Sequence, residues 1–238
     1  MKDKIKYFLK KNPFLRKYAR LLLILVSNRK VLKTIPKKII KGSGNEINVH
    51  KSVILYNCIL DIKGEGNTIE IESASIFNNV TFFIRGDNNT IKIGENVKFN
   101  RGGEIWVEDF NCKVIIENNS TFENVHIAVT EPNSVVRIGE NCMFADNIDI
   151  RTGDSHSIID SLTKKRINYA QNINIGNHVW IASHVSILKG VHIGDNSVVA
   201  TRALVTKSFK ENNILIGGVP AKKIKENIEW DRERIYED

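Results

Sequence analysis

The sequence predicts an all-β chain wound as a three-sided parallel solenoid, and it does so through a six-residue aliphatic period, a looser period upstream of it, and turn residues at fixed offsets. The tight period is marked by Ile175, Ile181, Ile187, Ile193, Val199 and Val205. Four positions after the first five of these sit the modest side chains Val179, Val185, Val191, Ser197 and Ala203, and tiny residues often follow directly, as with Gly176, Ala182, Gly194 and Ala200. An amphipathic helix repeats near 3.6 residues and a hairpin strand every second residue, so neither marks every sixth position. A chain that runs along a short flat side, turns a corner and repeats does mark it. Three sides make a coil of about 18 residues, and coils stack as parallel strands about 4.8 Å apart.

Upstream, Val49, Ile71, Ile93, Ile116 and Ile138 begin equivalent rungs at separations of 22, 22, 23 and 22 residues. Leu55, Phe77, Phe99, Phe122 and Phe144 each follow six residues later and begin the next side. Gly44-Asn45, Gly66-Asn67 and Gly86-Asp87-Asn88-Asn89 punctuate the turns with residues that tolerate positive φ. The register breaks once: Ile138 and Ile175 are 37 residues apart, which leaves about 15 beyond one coil. A loop is therefore inserted over about residues 151–172, and an insertion of that length on a rigid solenoid is usually functional. It holds Arg151-Thr152-Gly153-Asp154-Ser155-His156-Ser157-Ile158 and the basic stretch Lys164-Lys165-Arg166.

Charge is unevenly distributed. Residues 1–41 carry 14 Lys/Arg against one acidic residue, whereas residues 42–238 carry 21 against 26. The expected domains are a basic amphipathic helical arm over 1–41, the solenoid over 42–225, and a short charged helix over 226–238. The arm is expected to meet either the headgroups of a membrane's inner face or a neighbouring subunit. The run Leu21-Leu22-Leu23-Ile24-Leu25-Val26 is far short of the roughly 20 apolar residues that span a bilayer. Nucleic acid is not an expected partner, because the solenoid lacks a basic stripe with interleaved aromatics. Cys58, Cys112 and Cys142 show neither a disulfide framework nor metal-ligand spacing, which points to a reduced, cytoplasmic setting without a metal.

The runs Ile175-Gly-Asn-His-Val-Trp180-Ile-Ala-Ser183-His, Ile193-Gly-Asp-Asn-Ser-Val-Val-Ala, Val205-Thr206-Lys207 and Gly218-Val-Pro220-Ala-Lys222-Lys-Ile-Lys225 resemble the hexapeptide-repeat acyltransferases, closest to galactoside/maltose-type and capsular polysaccharide O-acetyltransferases. The resemblance is specific over about residues 136–228 and rests on the repeat alone over 42–135. It implies a left-handed β-helix, a homotrimer with the active site between neighbouring prisms, and acetyl-CoA as co-substrate. It also implies that His156, in the inserted loop, is the general base toward a sugar or polysaccharide hydroxyl. An imidazole with a pKa of about 6.5 can accept a proton at neutral pH.

Asp154 or Asp160 is expected to orient that imidazole, Asp154 foremost. Ser183, Thr201, Thr206, Lys207 and Trp180 match positions that bind the acetyl donor in the family. Lys222 and Lys225 stand where the family commonly has arginine, which keeps the charge and loses bidentate geometry. His126, four after Phe122, is expected to point inward and, with Asn124, to line the acceptor cleft. His178, His184 and His192 are expected to face outward as structural residues. Trp106 is an aromatic surface on which a sugar ring could stack. Three competing functions share these features in part: N-acetylation of a nucleotide-linked amino sugar, acetylation of a small xenobiotic, and a noncatalytic scaffold.

Overall fold

The computed structural model describes residues 35–236. The chain divides into two units, Met1–Ile35 and Pro36–Asp238, and the description concerns the second. The expected helical arm falls outside the described residues, except at its end. There Lys37–Lys41 form a strand, β1, so the solenoid starts before residue 42. Isoleucines 39 and 40 in Lys-Lys-Ile-Ile-Lys suit a pleated edge better than a helix.

Twenty further strands complete the winding. The first two coils continue with β2 (Glu46–Val49), β3 (Ile54–Tyr56), β4 (Ile59–Lys63), β5 (Thr68–Ile71) and β6 (Ile76–Asn78). The next coils contain β7 (Val80–Arg85), β8 (Thr90–Ile93), β9 (Lys98–Glu108), β10 (Lys113–Ile116), β11 (Thr121–Val129), β12 (Val135–Ile138) and β13 (Met143–Arg151). After the inserted loop come β14 (Ile173–Ile175), β15 (Trp180–Ile181), β16 (Ser186–Ile187), β17 (His192–Ile193), β18 (Val198–Val199), β19 (Leu204–Val205), β20 (Leu215–Gly217) and β21 (Lys222–Lys225).

The strands make three sides. The first is the sheet β2-β5-β8-β10-β12-β14-β17. The second runs through β3, β6, the starts of β9, β11 and β13, then β15, β18 and β20. The third runs through β1, β4, β7, the ends of those same long strands, then β16 and β19. The pairing is parallel throughout these sides; β21 closes the last coil by pairing antiparallel with β20.

The repeat is legible in the core. Every residue of the tight period is at most 1% exposed, and Phe77, Phe99, Phe122 and Phe144 are fully buried in one column. Their rings stack at 5.3, 4.4 and 4.6 Å between centroids. The upstream corners hold a ladder of asparagines: Asn45 Oδ1 accepts from Asn67 N, Asn67 Oδ1 from Asn89 N, and Asn89 Oδ1 from Cys112 N, at 2.9–3.0 Å. Each amide nitrogen donates to a carbonyl of the next coil, Gly64, Gly86 and Asp109. Beside this ladder a Cβ at Gly64, whose φ is +142°, would fall 1.9 Å from the Gly86 carbonyl oxygen, so glycine is required where the coils pass each other. Cys58, Cys112 and Cys142 are buried free thiols, the latter two pushed up to about 11 by burial.

The C-terminal helix is not formed. Described residues 226–236 contain no helix and run extended as a strap. Ile228 N donates to Asn213 O at 3.0 Å, Trp230 Nε1 to His178 O at 2.8 Å, and Arg232 to Thr121 Oγ1 at 2.8 Å and Cys142 O at 2.7 Å. Anchors at every second residue satisfy an extended chain, and each reaches an earlier coil. A helix of this length would have had to form without such partners, which is marginal in water. No described helix is long and apolar enough to cross a membrane.

Candidate active site

The inserted loop leaves the third side after β13 and returns to the first at β14. It folds back as a hairpin, with Ile159 bridged antiparallel to Arg166. Asn168, 6% exposed, is its internal bracket. The Asn168 amide donates to Asp154 Oδ2 at 2.9 Å and to the His156 carbonyl at 2.8 Å, and its oxygen accepts from Ile158 N at 2.7 Å. Two ion pairs fasten the hairpin to the body: Arg166 with Glu131, and Lys189 with Asp154. The Lys189 ammonium, helped by the Asn168 amide, holds the Asp154 carboxyl below the usual carboxylate range.

His156 is exposed on this braced loop, with its backbone N–H donating to Asp154 O at 2.7 Å. Among the described residues nothing hydrogen-bonds its imidazole. Asp154, expected to orient that ring, spends its carboxylate on Lys189 and Asn168. Asp160 instead caps the hairpin turn, accepting from Leu162 N, Thr163 N and Thr163 Oγ1 at 2.6–3.0 Å.

The donor residues divide between two edges of the prism. Thr206 and Lys207 follow β19 at the edge from which the His156 loop emerges. The pairing of Ile150 with Ile187 and of Ile187 with Val205 stacks these corners on successive coils. Ser183 and Thr201 lie at the opposite edge of the third side, 18 residues apart, with Thr201 Oγ1 donating to Ser183 O at 2.8 Å. Beside them, Ala145, Ala182, Ala200 and Gly217 form a strip of small residues up the second side. The column Met143, Trp180, Val198 and Leu215 flanks that strip. A Cβ at Gly217 would come within 2.8 Å of Ala200 Cβ, so the strip is close-packed and narrow. Lys222 and Lys225 extend exposed from β21 at the end of the same sheet.

Asn124 sits at the corner of the second and third sides, where the pairing of β11 with β13 shifts register. That bulge reverses the expectation for His126. Val125 takes the inward place, 1% exposed, and His126 faces out on the third side. His126 Nδ1 lies 3.0 Å from Asp149 Oδ1, and its Nε2 is 3.7 Å from Glu104. Burial alone would push the Asp149 carboxyl up, but hydrogen bonds from His126 and Arg151 outweigh it and set it at about 2. Asn124 and His126 line one shallow depression of about 480 Å³ with Thr81, Gly103 and Glu104. Trp106 lies on the same side, stacked on Phe83 at 3.9 Å. His178, His184 and His192 all face outward; the His178 ring pairs with Asn196 and His184 with Asn147.

Among the described residues no three His, Cys, Asp or Glu side chains are placed to hold a metal ion. The residues that sequence reasoning missed are Asn168, Lys189 and Glu131. No motif marks them, because their partners lie 14 to 35 positions away.

Residues 172–207 match the family model described as bacterial transferase hexapeptide (six repeats). The chain is similar to galactoside O-acetyltransferase of Escherichia coli K12, 38% identical over 96 residues, which are 40% of this chain and 46% of that protein. It is also similar to polysialic acid O-acetyltransferase of Escherichia coli O1:K1 / APEC, 39% identical over 38% of this chain and 29% of that one. The matched region thus spans less than half the length of these two curated relatives. Among solved structures, the polysialic acid O-acetyltransferase OatWY superimposes with a TM-score of 0.80 at 32% identity, over 84% of this chain and 94% of that one. The polySia-specific acetyltransferase NeuO does so with a TM-score of 0.76 at 32% identity, over 84% and 91%.

Proposed function

We propose that this chain, which belongs to the hexapeptide-repeat acyltransferase family, transfers the acetyl group of acetyl-CoA to a hydroxyl of a cell-surface polysaccharide or its precursor. The observation that carries the reading is the exposed His156 imidazole on a loop whose own carboxylate and amide are consumed in bracing it. The backbone that carries the ring is held in place, and the ring is free to take a proton from outside the chain. Three of the four similar proteins named above carry polysialic acid in their names and the fourth a galactoside, which supports a glycan acceptor and favours a polysaccharide.

In the proposed step a ring nitrogen of His156 removes the acceptor hydroxyl proton while the oxygen attacks the thioester carbonyl carbon. The C–S bond then breaks, the ester forms, and the leaving thiolate takes the proton back from the imidazolium. Positioned general-base catalysis of this kind is worth about 10²–10⁴-fold. The narrow strip Ala145–Ala182–Ala200–Gly217 suits an extended pantetheine arm, with Trp180 on one flank and Ser183 and Thr201 on the other. Thr206 and Lys207 are assigned to the distal end of the cofactor, and Lys222 and Lys225 offer positive charge to its phosphates. Asn124 and His126 are assigned to the acceptor.

His156 and the strip occupy different edges of one chain, so the site is completed by a second copy, in a homotrimer of left-handed β-helices as the family resemblance implies. Ile158, Ile159, Leu162, Ile167 and Tyr169, all at least half exposed on the loop, give that copy an apolar surface to meet. Residues 1–41, through their basic excess, would keep the enzyme beside the inner membrane face where lipid-linked precursors lie.

The test is an acetyl-CoA assay with three acceptors: a sialic acid oligomer, an amino sugar nucleotide and chloramphenicol. An acetyl ester on the oligomer is expected. Acetylation of the amine alone, or of chloramphenicol alone, overturns the acceptor assignment, and no transfer to any of them speaks for a scaffold.

A further inference from the structure

The C-terminal strap does more than cover the last coil. Trp230 lies flat on the His178 imidazole, with ring centroids 4.2 Å apart and planes 10° from parallel. The platform beneath it is fixed, because His178 sits at a corner with φ of 51° and its Nδ1 lies 3.1 Å from Asn196 Oδ1. From that seat Trp230 meets Trp180 at 6.0 Å between centroids, tilted by 44°. Trp180 faces outward from β15, with Met143 below and Val198 above it in the same column. An outward indole on a flat parallel side has room to swing about its two χ angles unless something stands beside it. The strap supplies that neighbour, and the strap is itself pinned two residues on either side, at Ile228 and Arg232.

We infer that Trp230 is a positioning residue for the acetyl donor: it fixes the Trp180 indole as the wall of the Ala145–Gly217 strip, which makes residues 226–236 part of the donor-binding machinery. The inference rests on the donor site proposed above. A tilted aromatic pair of this geometry constrains ring orientation beyond what area burial alone provides. The strap reaches back from the coil that bears Lys222 and Lys225, so one segment joins the cationic end of the groove to its aromatic wall.

The chain has three tryptophans, Trp106, Trp180 and Trp230, which permits a direct test. In a Trp106→Phe background, Trp230→Phe and Trp230→Ala each leave Trp180 as the one tryptophan, read by selective tryptophan excitation. Acrylamide should quench Trp180 about twofold more readily in the Ala variant than in the Phe variant, the difference that loss of one packed ring face produces. The KM for acetyl-CoA should rise about three- to tenfold in Trp230→Ala with kcat held within about twofold, and Trp230→Phe should restore it, as expected when uniform binding is lost. Equal quenching in the two variants, or an unchanged KM beside a kcat that falls with the folded fraction, overturns the inference. A parent protein that does not bind acetyl-CoA removes the donor site and this inference with it. A parent that binds normally beside an unaffected Trp230→Ala removes the inference alone.

Discussion

The upstream coils, at 22 or 23 residues a turn, and the downstream coils, at 18, stack in the same parallel register with different side chains. Upstream, the second side is filled by the column Phe77, Phe99, Phe122 and Phe144; downstream the same column continues as Ile181, Val199 and Ile216. The additional residues upstream lengthen the third side, where β4 and β7 run five and six residues against two each in β16 and β19, and the corner after it, where the Asn45–Asn67–Asn89 ladder ties coil to coil. A longer turn encloses a wider prism, and a ring fills it where an aliphatic side chain would leave a void. Downstream, tight corners and small outward residues leave a narrow, open surface, on which most of the strip proposed for the donor lies. The inserted loop emerges at the junction of the two regions. The proposed donor residues thus fall mainly in the downstream region, and the proposed acceptor residues Asn124 and His126 in the upstream one.

The strongest way to break this comparison is to cut the aromatic column. Phe122→Ala should cost about 3–5 kcal/mol of folding free energy in urea titrations, whereas Ile216→Val downstream should cost about 0.5–1.5. Equal costs would mean that the two regions do not differ in how they are held. Next in size is the loop bracket. Asn168→Ala should lower acetyl transfer by about 10²-fold through misplacement of His156, with faster amide exchange over residues 154–168 and little change in global melting. A melting transition that collapses with the activity would show that the loop is structural.

The acid limb of stability sharpens the contrast further. The folded Asp149 carboxyl titrates at about 2, below its unfolded value. Its stabilising effect is therefore complete above about pH 4 and is lost as pH falls toward 2. Asp149→Asn should flatten that fall in urea midpoints measured from pH 5 to 2; an unchanged slope would remove the His126–Asp149–Arg151 cluster as its source. The smallest effect is expected at the exposed end of the groove. Lys222→Ala and Lys225→Ala should each raise the KM for acetyl-CoA about two- to fivefold at low salt and less at high salt.

The solenoid was legible because its period survives in residue type: an inward rung must be aliphatic or aromatic whatever surrounds it. The inserted loop was legible as a break in that period. What lay beyond reading was set by contacts between distant positions. The bulge at Asn124 turned His126 outward, and Asn168, Lys189 and Glu131 brace the loop without any local signature. The C-terminal segment reads as a charged helix in isolation, and only the positions of Asn213, His178 and Thr121 on three different coils make the extended strap the better solution. Likewise, the separation of His156 from Ser183 and Thr201 follows from counting corners in the folded coil.

The most direct test of the account is acetyl transfer by wild type and His156→Ala, followed as ester formed on a sialic acid oligomer with thermal unfolding measured on the same samples. An exposed side chain without a partner should leave stability within about 0.5 kcal/mol while the transfer rate falls about 10²–10⁴-fold. A variant that melts as wild type does and keeps most of its transfer rate would contradict His156 as the base.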